Sequence, residues 1–564
     1  MDLNDLSHQS STVGALPIVR HFFDRLDLDR LLETYVPGRR LGREPKLRQS
    51  KAIGLMVTNV LLCREPLYAV PEWLDRHASD TLGFTTDQAE RFNDDRIGRA
   101  LDRLYETDPA SLTTALLTRA TKEFEIDLDQ IHNDTTTVTF SGAYEGQKNP
   151  EEERRPPWIT FGHNKDHRPD LKQLVYSLSV SADGAVPIHY KCYDGNQTDD
   201  QTHIETWKAV RRLAGTSSFM YVADSKLCTG ANMKFIHGEN GRFLTVLPRS
   251  RREDDDFRNY VQENTVVWEE VRRRKSRLDG SKPDEVHQAF ANAPRSAEGY
   301  RIVWYKSSVK EVVDLKRRTQ RIKRARQRLA QLEQRKGPHR FRTVDTAQSA
   351  ATKVLVEEGA TQWLRVKVHC QEVSDLKQVQ PGRPGKSTTY RKIPIPVIMF
   401  DVEEDGEAIQ RDARCDGLFA MVTNDERLSP KELLDVYKYQ PFLEKRNEQL
   451  KSVLNVAPVF LKKPERVAAL LFVYFLAMLV MALIERELRL RMKDARIDSL
   501  PLYPESRLCK APTTEVIFRA FEGIRRHQLT DRDGRVLRTF HDPLSTVARE
   551  VLALLGIDSA PFGQ

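Results

Sequence analysis

The chain of 564 residues is long enough for two to four domains, and a composition of 39% hydrophobic and 30% charged residues excludes an intrinsically disordered protein. The 89 Lys and Arg residues exceed the 81 Asp and Glu residues by eight, a mild basic bias that permits a polyanionic partner such as DNA. The six cysteines are far apart and form no CxxC pair, which fits a reducing cytoplasm and excludes a disulfide framework or a zinc site.

Residues 1–122 are predicted to be helical. They begin without an apolar run and cleavage site of a secretory signal, so we expect a cytoplasmic protein. The stretch "FNDDRIGRALDRLYE" has an apolar stripe at helical spacing, and its other face carries Arg96, Arg99 and Arg103. No clear helix-turn-helix signature accompanies this basic face, so a DNA groove and bulk water remain equal alternatives for it.

From about residue 125 the pattern changes to β-strands. "EIDLDQIHNDTTTVTF" is rich in β-branched residues, and "QLVYSLSVSADGAVPIHYKC" alternates on both sides of Asp183 and Gly184, a strong hairpin signal. A helix is predicted over residues 200–213, and the strand "SSFMYVAD" follows it and ends at Asp224. This order predicts a mixed α/β layer with one sheet.

Residues 225–412 are less regular and contain a very basic segment, residues 316–336, with ten Lys or Arg and one Glu. Leu315, Ile322 and Leu329 are seven residues apart, which predicts a helix with one apolar seam. Contact with nucleic acid is the favoured interpretation of its basic flanks, and a solvated helical arm is the alternative.

Residues 467–484 form an uncharged apolar run of 18 residues, which is the threshold length for a membrane span. A solitary late span in an otherwise polar chain is the rarer arrangement. We therefore predict a buried core helix and no membrane association.

Two aspartates occupy positions that are unusual for a carboxylate. Asp134 lies inside the strand "HNDTTTVTF", and Asp224 ends "FMYVAD", where an α/β sheet presents its ligands. Two carboxylates on adjacent strands repel each other unless a cation neutralises them, and oxygen ligands suit magnesium or manganese. Taken alone, each aspartate is better explained without a function, Asp134 as a turn residue and Asp224 as a helix N-cap, and only their combination favours a site.

A third acidic region is "DVYKYQPFLEKRNEQLKSVL", in which Glu444 and Glu448 share one face of a predicted helix. The spacing of Tyr437, Gln440, Glu444 and Lys451 resembles the Tyr, Arg, Glu and Lys signature of IS-four-like bacterial insertion-sequence transposases. Segments such as "HNDTTTVTFSGAYEG", "YDGNQTDD" and "YVADSKLCTGANM" resemble the same group. The resemblance runs from "FNDDRIGRALDRLYE" to "APTTEVIFRAFEGI", most of the chain, and the family's Arg is Gln here, as in a long-chain subgroup.

The resemblance implies an α/β fold with a ribonuclease-H-like mixed-sheet catalytic domain that is interrupted by an α+β insertion domain. The implied boundaries are a helical DNA-binding domain at 1–122, catalytic segments at 123–235 and 413–564, the latter with C-terminal helices, and an insertion at 236–412. It also implies a core position for the apolar helix.

The resemblance further implies a DDE triad of Asp134, Asp224 and Glu444 that holds two magnesium ions, with manganese as a substitute. Such a transposase binds the end repeats of its element, cleaves DNA and joins a 3′-hydroxyl to target DNA, and pairing two ends implies a homodimer. The expected location is the bacterial cytoplasm, at the nucleoid. The expected DNA contacts are Arg96, Arg99, Arg103, Lys165, Arg168, Tyr437, Gln440 and Lys451.

Two other functions remain open on the sequence. The chain could be a transposase-derived DNA-binding protein that no longer cleaves, an alternative that Gln440 keeps open. A repair or RNA-cleaving nuclease on the same fold is the other, although the N-terminal helices and the basic insertion argue for specific DNA binding.

Overall fold

The computed structural model describes residues 6–38, 47–90, 92–107, 109–142, 144, 155–165, 168–275, 283–335, 340–386, 388–454, 461–533 and 535–563. The chain divides into two compact units, the first formed by Met1–Thr245 and Leu433–Gln564, and the second by Val246–Glu432. Both units mix helices and strands.

The strands are β1 (Ser7–Thr12), β2 (Gln130–Phe140), β3 (Lys172–Ser181), β4 (Pro187–Tyr193), β5 (Met220–Ala223), β6 (Arg242–Val246), β7 (Glu269–Arg274), β8 (Glu285–Phe290), β9 (Arg301–Ser307), β10 (Leu364–Gln378), β11 (Tyr390–Glu404), β12 (Leu418–Thr423), β13 (Arg525–Thr530) and β14 (Val536–His541). The helices are α1 (Leu16–Leu26), α2 (Leu28–Tyr35), α3 (Gln49–Leu62), α4 (Val70–Arg76), α5 (Thr86–Glu90), α6 (Asp94–Glu106), α7 (Pro109–Phe124), α8 (His203–Ala214), α9 (Gly230–Gly238), α10 (Arg252–Glu263), α11 (Ser308–Glu333), α12 (Val344–Glu358), α13 (Gly406–Ala413), α14 (Pro430–Tyr437), α15 (Gln440–Glu448), α16 (Pro464–Asp494), α17 (Thr514–Arg519) and α18 (Thr546–Leu555).

The main sheet of the first unit is mixed, with its strands in the order β4-β3-β2-β5-β6. β2, β3 and β4 pair antiparallel, and the β3–β4 turn contains the predicted Asp183 and Gly184. β5 pairs parallel to β2 on one side and to β6 on the other, with α8 and α9 as the crossover connections. The predicted mixed α/β layer is therefore present.

The predicted apolar helix is α16, which is the long central helix of the first unit. It is the one described helix long and apolar enough to cross a membrane, apart from a bent pair, Gln49–Leu62 and Leu67–Arg76, that would qualify only if counted as one span. Within the most apolar stretch of 18 residues in α16, 94% is buried inside the protein. The helix packs against α3, α6, α18 and strand β4. This burial is that of a core helix.

The domain boundaries differ from the prediction. The helices of residues 1–122 belong to the first unit, because α3 and α6 pack on α16 and β1 pairs with β13 near the C-terminus. The second unit begins later than the predicted 236, since β6 pairs with β5, and it ends later than 412, since β12 pairs with β9. Strand pairing therefore decides both ends, and at the second end the partners are more than 100 residues apart.

The second unit has a sheet in the order β12-β9-β8-β7 and a separate two-stranded ribbon, β10-β11. The predicted basic helix is α11. Ile322 and Leu329 of its predicted apolar seam pack with α12 and the base of the ribbon, whereas Leu315 is 51% exposed. Several cations of α11 are neutralised inside this unit. Arg318 pairs with Asp412 and Asp416, Arg326 with Glu404, and Arg328 with Glu357 and Glu358.

Candidate active site

Asp134 lies on β2, and Asp224 directly follows the neighbouring strand β5. The last residues that pair between the two parallel strands are Asn133 and Ala223, so each aspartate comes one residue later. The two carboxyl groups interact, because Asp224 contributes to the raised pKa of Asp134. β2 and β5 are therefore adjacent, and the role of the two acids in a common site stays a prediction.

The surroundings of Asp134 oppose its ionisation. Burial, the largest cause, raises the pKa of Asp134 from 3.8 to about 6, and the charges of Asp224 and Asp199 act in the same direction. Lys165 lowers this pKa, but it does not cancel the effect of burial. Burial also raises the pKa of Asp224, and Asp199 again adds to the effect. The charges of Asp134, Asp199 and Asp224 are therefore only partly compensated by Lys165.

Lys165 is the internal counter-ion of these acids. Its Nζ lies 3.2 Å from Asp199 Oδ2 and 3.8 Å from Asp134 Oδ1, and it donates hydrogen bonds to the carbonyl and hydroxyl of Thr135. Lys165 was predicted to contact DNA, and Asp199 was not predicted to belong to the site. The acidic pair at the end of "YDGNQTDD" was the available signal for Asp199.

Asp224 also has a structural task. Its side chain accepts a hydrogen bond from the Lys226 amide at 3.0 Å and caps the short helical turn that follows. The hydroxyl of Thr245 on β6 donates to the Asp224 carbonyl at 2.6 Å. These bonds fix the backbone and one carboxylate oxygen, Oδ1, and leave Oδ2 for another partner.

Helix α15 is joined to strand β2 at two points. At its first residue, Gln440, the side-chain carbonyl lies 2.8 Å from His132 Nδ1, and the side-chain amide donates to the Asn133 carbonyl at 3.4 Å. Two turns later, Asn447 Nδ2 donates to Asp134 Oδ2 at 3.0 Å. His132 and Asp134 are two residues apart, so they lie on the same face of β2. The helix is therefore held along this face of the strand.

A buried arginine fixes the same helix to the hairpin. Arg446 is 3% exposed, and it donates to the carbonyls of Gly184 and Ala185 at 3.1 Å each. Its Nη1 lies 2.9 Å from a carboxylate oxygen of Glu485 on α16. These partners satisfy the charge of the buried guanidinium. Through them, Arg446 anchors α15 to the hairpin turn and to α16.

Glu444 is exposed on α15, and so is Glu448. At about 100° per residue, Glu444 is rotated about 60° from Asn447, which contacts Asp134, whereas Glu448 is rotated about 100°. Burial is the largest cause that raises the pKa of Tyr437. The charges of Asp224, Glu444 and Asp134 raise this pKa further. The choice of Glu444 over Glu448 as a metal ligand stays a prediction.

Asp134, Asp224 and Glu444 meet only part of the requirements for binding a divalent cation such as Mg²⁺. Among the described residues, no three Asp, Glu, His or Cys side chains lie close enough together to hold a metal ion. Asp134 and Asp224 nevertheless offer carboxylate oxygens with excess negative charge, and Mg²⁺ is commonly bound by one or two carboxylates together with waters and phosphate oxygens. The pair fits such a cation, and Glu444 would have to approach it.

The other predicted contact residues are placed differently. Gln440 is 4% exposed, so its side chain supports β2 and cannot reach DNA in this conformation. The predicted alignment of Lys451 with Glu444 assumed a continuous α-helix, but residues 449–453 form a π-helical segment that shifts the register. Tyr437 is the last residue of α14, and a new helix starts at Gln440 with Pro441 in its first turn.

The predicted basic residues on the surface differ in exposure and in their partners within the protein. Arg168 is exposed and paired with Asp170 at 2.7 Å. On α6, Arg99 is exposed and Arg96 half-buried, whereas Arg103 donates to the Pro37 carbonyl and pairs with Glu106 at 2.9 Å. Arg103 is therefore engaged within the protein, and contact of the others with DNA stays a prediction.

Residues 8–118 match a family model described as a domain of unknown function, DUF4277. The search of curated proteins gave no match. Among solved structures, the chain is similar to a piggyBac transposase in a synaptic complex with hairpin DNA, at 12% identity and a TM-score of 0.28. This similarity covers 53% of the present chain and 61% of that one, and at such a TM-score it carries no argument about function.

Proposed function

We propose that this protein is a DNA transposase that cleaves and joins DNA strands at a carboxylate site formed by Asp134, Asp224 and Glu444. The observation that supports the proposal is the parallel pairing of β2, which carries Asp134, with β5, which ends one residue before Asp224, together with the hydrogen bond from Asn447 on α15 to Asp134. The strand order β4-β3-β2-β5-β6 is compatible with a ribonuclease-H-like core. The resemblance of the Tyr437, Gln440, Glu444 and Lys451 spacing to the transposase signature supports the choice of substrate.

Asp134 and Asp224 would hold the metal, with Glu444 as the third ligand. When bound, magnesium supplies activation of a water or 3′-hydroxyl nucleophile and stabilisation of the leaving oxygen in phosphodiester displacement. Asn447 orients the Asp134 carboxylate by its hydrogen bond. Gln440 and Arg446 hold α15 against the sheet, so Glu444 is presented from a fixed helix.

Two further side chains contribute by charge. Tyr437 keeps its proton at all working pH values, because burial and three acids raise its pKa, so its hydroxyl is available as a donor to a phosphate oxygen. Lys165 balances Asp134 and Asp199 in the absence of substrate. Its ammonium would also be a suitable partner for the phosphate of a DNA strand bound at these acids.

The test is cleavage of duplex DNA that carries the end repeats of the flanking element, in magnesium buffer. Wild-type protein should cut and join such DNA, and Asp134→Asn should abolish both reactions while it retains binding to the same ends. Strand cutting that survives Asp134→Asn would overturn the site assignment.

The alternative is a transposase-derived protein that binds DNA without cleaving it. The observation that favours it is that no three acidic, His or Cys side chains converge among the described residues. It predicts that wild-type protein and Asp134→Asn bind the end repeats equally and that neither cuts with magnesium or manganese.

A further inference from the structure

The ribbon formed by β10 and β11 extends well beyond the core that supports it. At its base, Leu364, Val368, Ile398 and Phe400 pack with α11 and α12. Beyond Cys370 and Ile398 the paired residues are exposed or only half-buried. The paired strands continue for eight more residues, to Gln378 and Tyr390, which is about 27 Å at 3.4 Å per residue.

The end of this ribbon is strongly basic. Residues 376–392, here called the ribbon tip, contain five cations and no acidic residue. The five cations are Lys377, Arg383, Lys386, Arg391 and Lys392. None of them forms an ion pair within the described part of the chain, in contrast to the cations of α11, which pair with Asp412, Glu404 and Glu358.

The arrangement of these cations costs the fold stability. Lys377 lies directly opposite Arg391 in the antiparallel register, and like charges at paired positions destabilise a ribbon. A two-stranded ribbon without a covering layer is marginal to begin with. The tip would be more stable if these positions were neutral or alternated in charge, so its composition fits a polyanionic partner.

We propose that the ribbon tip is a DNA-binding arm that places its five cations against the phosphates of duplex DNA. A two-stranded ribbon fits the width of the major groove, and Tyr390 and Leu376, 47% and 59% exposed, lie on one face beside Lys392. The proposal deepens the proposed function, because it names a second element that would hold the DNA.

A second copy of the chain is the weaker candidate for this surface. Two ribbon tips would bring five cations against five, and the repulsion would oppose their association. Pro394 and Pro396 also remove two amide donors from β11, which disfavours the addition of another strand. Charge therefore selects DNA over a second ribbon.

The test measures binding of the full chain to a 30-base-pair duplex by fluorescence anisotropy over a series of salt concentrations. EDTA is present, so the result does not depend on cleavage. The ribbon variant replaces the five tip cations with Gln. A matched variant replaces five paired cations of the same unit with Gln, namely Arg273, Arg295, Arg326, Lys353 and Arg365.

The ribbon variant should bind duplex DNA about 10- to 100-fold more weakly at ~0.1 M salt, with a salt dependence reduced by up to about 4 in log-log slope. The matched variant should lose much less. Equal losses in both variants, unchanged affinity of the ribbon variant, or no binding by wild-type protein would each overturn the proposal. An altered oligomeric state with unchanged DNA affinity would also overturn it and indicate a protein partner. A chain that binds DNA through the ribbon but never cleaves it would refute only the proposed function.

Discussion

Asn447 donates its side-chain amide to Asp134 Oδ2 at 3.0 Å, and this bond joins helix α15 to the strand that carries the first acid of the site. The other side-chain atom of Asn447, Oδ1, is buried without a hydrogen-bond partner among the described residues. Asn447 therefore keeps its hydrogen bond to Asp134 although another of its own polar atoms is unsatisfied. We interpret Asn447 as a residue that positions the Asp134 carboxylate.

Replacement of Asn447 by Ala should lower DNA cleavage about 10- to 100-fold, the scale on which residues that orient metal ligands act. Loss of a donor to a carboxylate also raises the pKa of that carboxylate. The acid limb of the pH–rate profile should therefore move to higher pH. A variant with a lower rate but an unmoved profile would indicate that Asn447 only stabilises the fold.

Glu444 and Glu448 should differ sharply although both are exposed on α15. Glu444→Gln is expected to reduce cleavage by roughly 100-fold or more, as removal of one preorganised electrostatic group does. Glu448→Gln serves as the matched control and should change it less than about 3-fold, since its rotation points it away from Asp134. The comparison is made by single-turnover cleavage at equal protein concentration, and the reverse order of effects would assign the ligand to Glu448.

Asp134 should reduce the stability of the protein while it serves catalysis. Its pKa is raised from 3.8 to about 6, so folding disfavours the carboxylate, and the cost grows as the pH rises from about 4 to about 6. Above that range Asp134→Asn should increase the free energy of unfolding by roughly 3 kcal/mol, while below pH 4 the two proteins should be alike. Urea denaturation at several pH values measures the difference. A less stable Asn variant at pH 8 would show that contacts of Asp134 outweigh its desolvation.

The sequence predicted the elements of this site better than the contacts between them. The strands of Asp134 and Asp224, the hairpin at Gly184 and the buried apolar helix all follow from local periodicity. Asn447 and Gln440 were misread or missed, because their partners lie on β2, more than 300 residues away. The pairing of Lys165 with Asp199 could not be predicted for a similar reason, since it leaves no local pattern, and contact of Lys165 with DNA stays a prediction.

Three buried histidines should make the fold sensitive to acid. Burial lowers the pKa of His132, His189 and His203 from 6.5 to about 4. Between these values the unfolded chain takes up protons that the folded chain does not, so stability falls as the pH drops below 6.5. Each histidine should cost about 2 kcal/mol at pH 5 relative to pH 8.

His203→Gln tests this, because His203 Nε2 has no hydrogen-bond partner in the described part of the chain. The substitution should remove about a third of the loss that the three histidines cause between pH 8 and pH 5. Asp134 acts in the opposite direction over part of this range, so the comparison is made in the Asp134→Asn background. An undiminished acid loss in the His203→Gln protein would place the sensitivity elsewhere.

Gly184 connects the hairpin turn to both α15 and α16. Its φ is +81°, and a Cβ there would lie 2.8 Å from the Cβ of Arg486, which donates to the Phe124 carbonyl and pairs with Asp183. The Gly184 carbonyl is itself an acceptor for Arg446. Gly184→Ala should therefore combine backbone strain with displacement of a buried arginine, at a cost of about 2–4 kcal/mol.

Gly215→Ala is the matched control, since Gly215 has a φ of +69° and a Cβ added there would meet no atom within 4 Å. It should cost only about 1 kcal/mol, the strain of the left-handed conformation. Only Gly184→Ala should also lower cleavage at a temperature where both variants are folded, because a shifted turn moves the carbonyl that Arg446 uses to hold α15 and hence Glu444. Equal melting temperatures and equal cleavage rates for the two variants would contradict this prediction. They would show that the Arg486 side chain moves aside at little cost and that the turn does not position α15.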